Sequence, residues 1–475
     1  MEKKQQGKQK MNMLLVICMG IGSIIGAGIF TTTPIAVSMV GKSLVWVFIV
    51  AAIYVCLRML PSLVMSSALP ANGGDYMHTS RMLPYPCAIF LTLKNIVHGT
   101  MNIAVLSLTC GQYVNMLFPA IPQTWAAVAC ALIFATLGTF GARISGIAQT
   151  VCVGILLVAL AVFIFGGIPH IKPANITLGQ VLGNTFQLGT VYACLGLLNS
   201  TLMGGNSVIA FAEEVENPGR DIPLAFIIAT LGTSVVYAIF AYVAIGVAGT
   251  ENIHPGPTGS IGDVAASFLS PAWLTFFITG GALLAVATTL NGTMLMIGFQ
   301  DMASARDYIL PAGLGKMNKY NAPYGGIWFT TTISVIAIII PQLDLPTILA
   351  AGTCSTMFLG QLGIFPLFVV KKYYPLSYEH CFMSKIPHWL NLVLAVGTTY
   401  LSFEYGIELF RGLNGLQIGI LAVALIGGYA VIEARAYWLK KTKGIDMHAK
   451  IREPYAPWVE REKELEAQYG KSSAK

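Results

Sequence analysis

The sequence predicts an all-α integral membrane protein of about twelve transmembrane helices, and three observations carry that prediction. The first is composition. Of 475 residues, 55% are hydrophobic and only 10% are charged, whereas a soluble domain carries about 25% charged residues; the mean hydropathy is +0.69. The second is run length. Residues 14–39, 44–64, 150–168 and 222–248 are apolar runs, long enough to cover the roughly 20 residues a helix needs to cross hydrocarbon. The third is continuity. The longest connections on the outer side, around 169–188 and 249–263, are too short to fold as an enzyme domain.

Taken in order, the spans fall near 12–38, 43–67, 86–117, 123–140, 145–168, 189–212, 223–248, 264–300, 325–341, 345–370, 387–408 and 413–438. The first run exceeds signal-peptide length and lacks a cleavage pattern, so it reads as a retained span. Runs 86–117 and 264–300 exceed the membrane thickness, which predicts tilt or interfacial extension. Arg81, Arg143, Arg220, Arg306, Lys316, Lys319, Lys371, Lys372 and Lys385 fall in alternate connections, and both tails are basic. The opposite loops carry little beyond Lys42, Lys172 and Arg411. This asymmetry places both termini in the cytoplasm of a cell-membrane protein. It also accounts for the net charge of +7 as loop bias, with no nucleic-acid partner implied. The charged stretch 445–475 reads as a short soluble or interfacial helix. The nine cysteines include no CxxC pair and sit mostly in apolar runs, which fits packing rather than disulfides or metal. No cofactor is expected.

Two spans look built to break. Residues 20–30 read GIGSIIGAGIF and residues 199–207 read NSTLMGGNS. Glycine costs a helix interior about 1 kcal/mol relative to alanine, and an unwound stretch at membrane depth is tolerated only beside a cavity or a ligand. Interrupted segments in corresponding halves of a chain point to a midplane binding site, where half-helix ends meet the charged groups of a substrate. The bland alternative is close helix packing through small residues, but both segments also carry short polar side chains.

Four segments resemble the amino acid–polyamine–organocation transporters: GSIIGAGIF at 22–30, FAEEVENPGRDIP at 211–223, ARDYILP at 305–311 with NAP at 321–323, and LPANGGDY at 69–76. The resemblance implies a leucine-transporter-like fold, a 5+5 inverted repeat plus two C-terminal helices, with helices one and six unwound. It divides the chain into a tail at 1–11, a first five-helix repeat at 12–168, a second at 189–370, two further helices at 387–438 and a tail at 439–475. It further implies that Ile24, Gly26, Ala27 and Gly28 offer backbone to a substrate, with Ser23 beside them. Met203, Gly204 and Asn206 would line the opposite wall, with Asn291 and Thr293 near the substrate's side chain. Some relatives carry an aromatic gate where Ser200 stands, an acid where Asn206 stands, or a lysine where Leu156 stands. The last departure favours exchange over one proton-coupled design.

Arg58, Lys94 and His98 fall inside predicted spans, where ionisable groups are costly and face protein or a watery cavity. Lys94 and His98 share a helix face, with no matching acid evident at that depth. They line an electropositive cavity or take part in coupling; alternatively Lys94 snorkels and His98 is an ordinary interior residue. Glu213, Glu214 and Glu216 are expected to pair with basic loop residues as a gate or to mark a helix end, and Arg411 to pair with Glu404 or Glu408. No HExxH, GxSxG or intramembrane acid cluster supports an enzyme, and no filter loop supports a channel. The expected function is a secondary transporter of neutral amino acids or related small amines acting as an exchanger. The partners are a small-molecule substrate and membrane lipid. The alternatives are proton or sodium symport, the latter through Thr288 and Thr289.

Overall fold

The computed structural model describes residues 10–26, 28–177, 179, 181, 188–254, 260–340 and 345–470. The side chains of Thr31, Leu188, Ser200, Pro346 and Thr347 lie outside that description. The principal helices are α1 (Met13–Ile24), α2 (Gly28–Val40), α3 (Leu44–Ala68), α4 (Asp75–Met82), α5 (Tyr85–Leu117), α6 (Gln123–Gly138) and α7 (Ala142–Gly167). They continue as α8 (Leu188–Leu202), α9 (Pro218–Ala248), α10 (Pro271–Arg306), α11 (Tyr324–Ile339), α12 (Leu345–Leu359), α13 (His388–Gly412), α14 (Gly415–Lys443) and α15 (Ala456–Tyr469). Among the described residues there is no extended strand, only two isolated bridges. Among the described residues eight helical stretches are long and apolar enough to cross a membrane, and α6 and α11 are shorter apolar helices. The chain is therefore a multi-pass helical membrane protein.

Local chemistry explains the element ends. Proline opens α5 and α9, where its missing N–H costs nothing. The span expected at 264–300 instead starts at Pro271, runs to Arg306 and takes in a π-helical stretch at Phe277–Leu283. Lipid offers no water, so hydroxyls inside helices must find internal acceptors. Those of Thr92, Ser107, Thr109 and Thr150 donate to the carbonyl four residues back. Large apolar side chains such as Phe165, Val396, Val423 and Ile426 face outward, as contact with acyl chains requires. All nine cysteines are free thiols.

One end of the bundle is bolted shut by chain from three places. Met11 donates its N–H to the Glu214 carbonyl (2.8 Å) and accepts from the Glu216 N–H (3.0 Å). Arg81 forms a two-pronged pair with Asp307, both contacts at 2.8 Å, and also donates to the Ile451 carbonyl. Tyr76 donates to the same Asp307 carboxylate at 2.7 Å. The C-terminal tail forms a helix, as expected, but α15 is docked on the protein rather than free in solvent. Trp458 is 2% exposed, stacks on His78 and donates its Nε1–H to the Pro70 carbonyl. Glu462 accepts from the Leu376 and Ser377 N–H groups and the Ser377 hydroxyl. These few anchors outweigh the charge of a segment whose other side chains are largely exposed.

His78 lies on α4, between the long apolar helices, and its Nε2–H donates to the Leu69 carbonyl at 2.8 Å. Burial pushes its pKa down to about 4, because a charged ring would lose water and its Nδ1 faces no acceptor. The unfolded histidine titrates near 6.5, so between those values the unfolded state binds more protons. The His78 contribution is complete above pH about 6.5 and is lost as pH falls toward 4, on the order of 3 kcal/mol. Melting temperature in detergent should fall over that window, and His78→Gln should flatten the fall; an identical slope in the variant would contradict this account.

Candidate substrate site where two broken helices meet

The first break lies between α1 and α2. Ile25 leaves the helix at φ −76°, ψ 79°, the Gly26 N–H turns back to the Ile24 carbonyl at 2.8 Å, and helix resumes at Gly28. Ala27 lies outside the described residues. The second break follows α8, where the chain tightens into a 3-10 stretch at Met203–Ala210 and leaves it at Phe211.

The two breaks cross backbone to backbone. A Cβ built on Gly204 would overlap the carbonyl oxygen of Ser23 and lie 3.0 Å from the Ile24 nitrogen, so only glycine permits the approach. Gly292 of α10 faces the Ser23 hydroxyl with equally little room. Gly26 packs against Thr289 and Gly28 against Thr201. The freed backbone groups find partners from neighbouring helices. Tyr237 of α9 donates to the Ile24 carbonyl (3.2 Å), and Thr289 of α10 donates to the Gly22 carbonyl (3.3 Å). The Ser207 and Ser23 hydroxyls pair at 3.0 Å. Ser23, Ile24 and Gly26 are buried, while Gly28, Met203, Gly204 and Asn206 keep partial exposure. Backbone atoms of both breaks thus converge at one junction, the arrangement that can hold the charged ends of a small zwitterion.

The sequence profile described as Amino acid permease matches residues 11–434. The chain belongs to the amino acid permease family. It is similar to the branched-chain amino acid permease BcaP of Bacillus subtilis, with 23% identity over 76% of this chain and 81% of the relative. The BcaP of Lactococcus lactis is 24% identical over 74% and 80%. The inner membrane transport protein YbaT of Escherichia coli is 23% identical over 88% and 96%. The permease is thus an amino acid transporter and not an enzyme, and the resemblance read from its motifs holds.

Of the nominated residues, the permease brings Ser23, Ile24, Gly26 and Gly28 together with Met203, Gly204 and the stretch that carries Asn206. Ser200 belongs to α8. Thr293 is buried on α10. Asn291 reaches toward α7: its Oδ1 accepts from Ser145 (2.7 Å) and its Nδ2 donates to Gln149 Oε1 (2.8 Å). Gln149 Nε2 in turn donates to the Thr288 carbonyl. Both ends of the Asn291 amide are occupied by this buried network. Tyr237, Gln149 and Ser145 escaped the sequence reading, and Ser207 was read only as part of the second break. Gln149, a long polar side chain within an apolar run, was the one available signal.

The charges inside the predicted spans sort differently. Arg58 is buried and donates to the Ser402 hydroxyl of α13 at 2.9 Å, tying two helices together. Lys94 and His98 share one face of α5 as expected, but the absence of an acid near them is corrected: Asp75 of α4 interacts electrostatically with Lys94. Asp75 precedes the apolar run in sequence, and only the fold returns it to that depth. Among the described residues Glu213 pairs with no basic residue; its Oε1 accepts from the Asn72 N–H (3.1 Å) and the Tyr455 hydroxyl (2.5 Å). Arg411 pairs with Glu408 at 3.5 Å on the surface, and Glu404 accepts from Tyr192.

Two substitutions test the junction. Gly204→Ala should lower uptake roughly ten- to hundredfold, the size expected of 1–3 kcal/mol of overpacking. Gly232→Ala on α9, where an added Cβ meets nothing within 4 Å, should leave uptake unchanged. Asn291→Ala strands buried partners on α7 and should cost about 1–3 kcal/mol of stability, read as a lower melting temperature; an unchanged melting temperature would remove the network from the account.

Proposed function

We propose that the permease exchanges amino acids with uncharged side chains, or closely related small amines, by alternating access across the cell membrane. The observation that carries the proposal is the crossing of Ser23 and Gly204. The ammonium and carboxylate of an amino acid are the same whatever its side chain, so backbone groups at a fixed junction can recognise them. Ser23, Ile24, Gly26, Ala27 and Gly28 supply one wall in this reading, and Ser200, Met203, Gly204 and Asn206 the other. Thr293 stands at the side-chain end, with Asn291 bracing α10 through α7. Small and neutral residues there favour a neutral cargo, as do the two relatives named as branched-chain permeases. Five spans, α1/α2, α3, α5, α6 and α7, and five more from α8 to α12 act as inverted repeats that rock about the junction. The end closed by Met11 and the tail is the cytoplasmic one, matching the basic loops.

Exchange is preferred to symport because the α7 position at Leu156 is apolar and fully buried, with no titratable group there to carry a proton. The test is counterflow in proteoliposomes. Vesicles preloaded with unlabelled leucine should accumulate labelled leucine with no ion gradient, and lysine should not replace it. Uptake that requires a proton or sodium gradient without internal amino acid would establish a symporter instead. Preference for a dicationic amine would overturn the substrate class.

A further inference from the structure

Gln149 reaches from α7 toward the first break as well as toward α10. A Cβ built on Gly22 would run into Gln149 Nε2 and lie 3.0 Å from its Cδ. The amide is therefore packed against the backbone of α1 one residue before Ser23. Gln149 and Thr288 are both buried. The Thr288 carbonyl can only accept, and it takes the Gln149 Nε2–H at 3.0 Å. Gln149 Oε1 in turn accepts from Asn291 Nδ2 at 2.8 Å, and Asn291 Oδ1 accepts from the Ser145 hydroxyl at 2.7 Å. The chain of bonds fixes which end of each amide is the donor.

The oxygens between α1 and α10 are thereby met by protein donors. The Gly22 carbonyl accepts from the Thr289 hydroxyl at 3.3 Å, and the Thr288 carbonyl accepts from Gln149. The Thr288 hydroxyl turns back to the Leu284 and Ala285 carbonyls of its own helix. A hard cation bridging the two helices would take such oxygens as its ligands; here each is engaged by a neutral group. Charge is also missing from the elements packed around Gln149. Residues 13–24 of α1, 123–138 of α6, 144–167 of α7 and 271–300 of α10 contain no Asp, Glu, Lys, Arg or His. Their ionisable side chains are the thiols of Cys18, Cys130 and Cys152, and from α9 the Tyr237 phenol faces the break.

We propose that Gln149 is a positioning residue of transport: its neutral amide holds the first break against α10 in place of a coupling ion, which frees exchange from protons and sodium. The proposal rests on the exchange reading above. Gln149 acts through Gly22 and Thr288 and not by touching the cargo. Ser23, next in the chain after Gly22, is the residue that crosses Gly204, so the bridge sets the position of one wall of the junction.

Gln149→Glu tests it. A protonated carboxyl group repeats the pattern of the amide, one oxygen accepting from Asn291 and the O–H donating to the Thr288 carbonyl. An ionised one has no proton to give and sets oxygen against oxygen. The measurement is leucine counterflow in sodium-free proteoliposomes from pH 5 to pH 9, each rate taken per folded chain and divided by that of wild type at the same pH. The Gln149→Glu ratio should lie within about threefold of unity at pH 5 and fall about tenfold by pH 9, the size expected when one buried hydrogen bond is lost. Gln149→Met, which has no proton to lose, should give a ratio near one tenth at every pH, about the same loss. A Gln149→Glu ratio that does not change with pH, high or low, overturns the proposal and leaves the exchange reading intact. So does a Gln149→Met ratio near unity. Wild-type protein that shows no counterflow without a proton or sodium gradient overturns the exchange reading and this proposal together. Should Gln149→Glu not fold, Asn291→Asp moves the titrating proton one link along the network; the same fall is expected, and a flat ratio there overturns the proposal.

Discussion

The α-carbon of Gly204 and the carbonyl of Ser23 stand so close that even a methyl group has no place between them. Two chain segments far apart in the sequence meet there with their backbones against each other, one in the last turn of α1 and the other in the 3-10 stretch that follows α8. Most of what surrounds the junction answers this constraint. Gly292 gives α10 the same close approach to Ser23, while Tyr237 and Thr289 supply hydrogen bonds to carbonyls that an unbroken helix would have satisfied itself. In lipid each unmet backbone group costs several kcal/mol. The break is tolerated because these neighbours meet the demand.

The rest of the bundle holds the junction at both flanks. Behind it, the Ser145–Asn291–Gln149 network fixes α10 against α7, a polar contact inside an apolar bundle where partners must be complete. Below it, Asn72, Glu213 and Tyr455 link the loop after α3, the chain after the second break, and the C-terminal tail. The second broken segment is thereby joined through about ten residues to the closed end. Through those residues Met203–Ala210 is tied by hydrogen bonds to the loop after α3 and to the C-terminal tail. The Arg81–Asp307 pair adds α10 to the same closure.

Much of this architecture is legible in the sequence. Apolar run length dictates helices in a solvent without water, and clustered glycine with short polar residues marks where the helices break. Those signals locate the two breaks, and the family resemblance singles out Ser23, Gly26, Met203 and Gly204 within them. What the sequence does not reveal depends on contacts between distant segments. Asn291 looks like a pocket residue until Ser145 and Gln149 are seen beside it. Asp75 reads as a loop acid, and only the packing of α4 under α5 brings it near Lys94. The tail reads as solvated charge because its anchors, Tyr455, Trp458 and Glu462, are three residues in a polar run, and their partners lie between about eighty and four hundred positions away.

The central claim is that the crossing of the two breaks holds the substrate. Hydrogen–deuterium exchange, with and without saturating leucine, addresses it most directly. The account predicts slower exchange on leucine binding in peptides covering 22–28 and 203–210, the segments that meet where Gly204 faces Ser23. Unchanged exchange in both segments, with protection appearing elsewhere in the bundle, would contradict it.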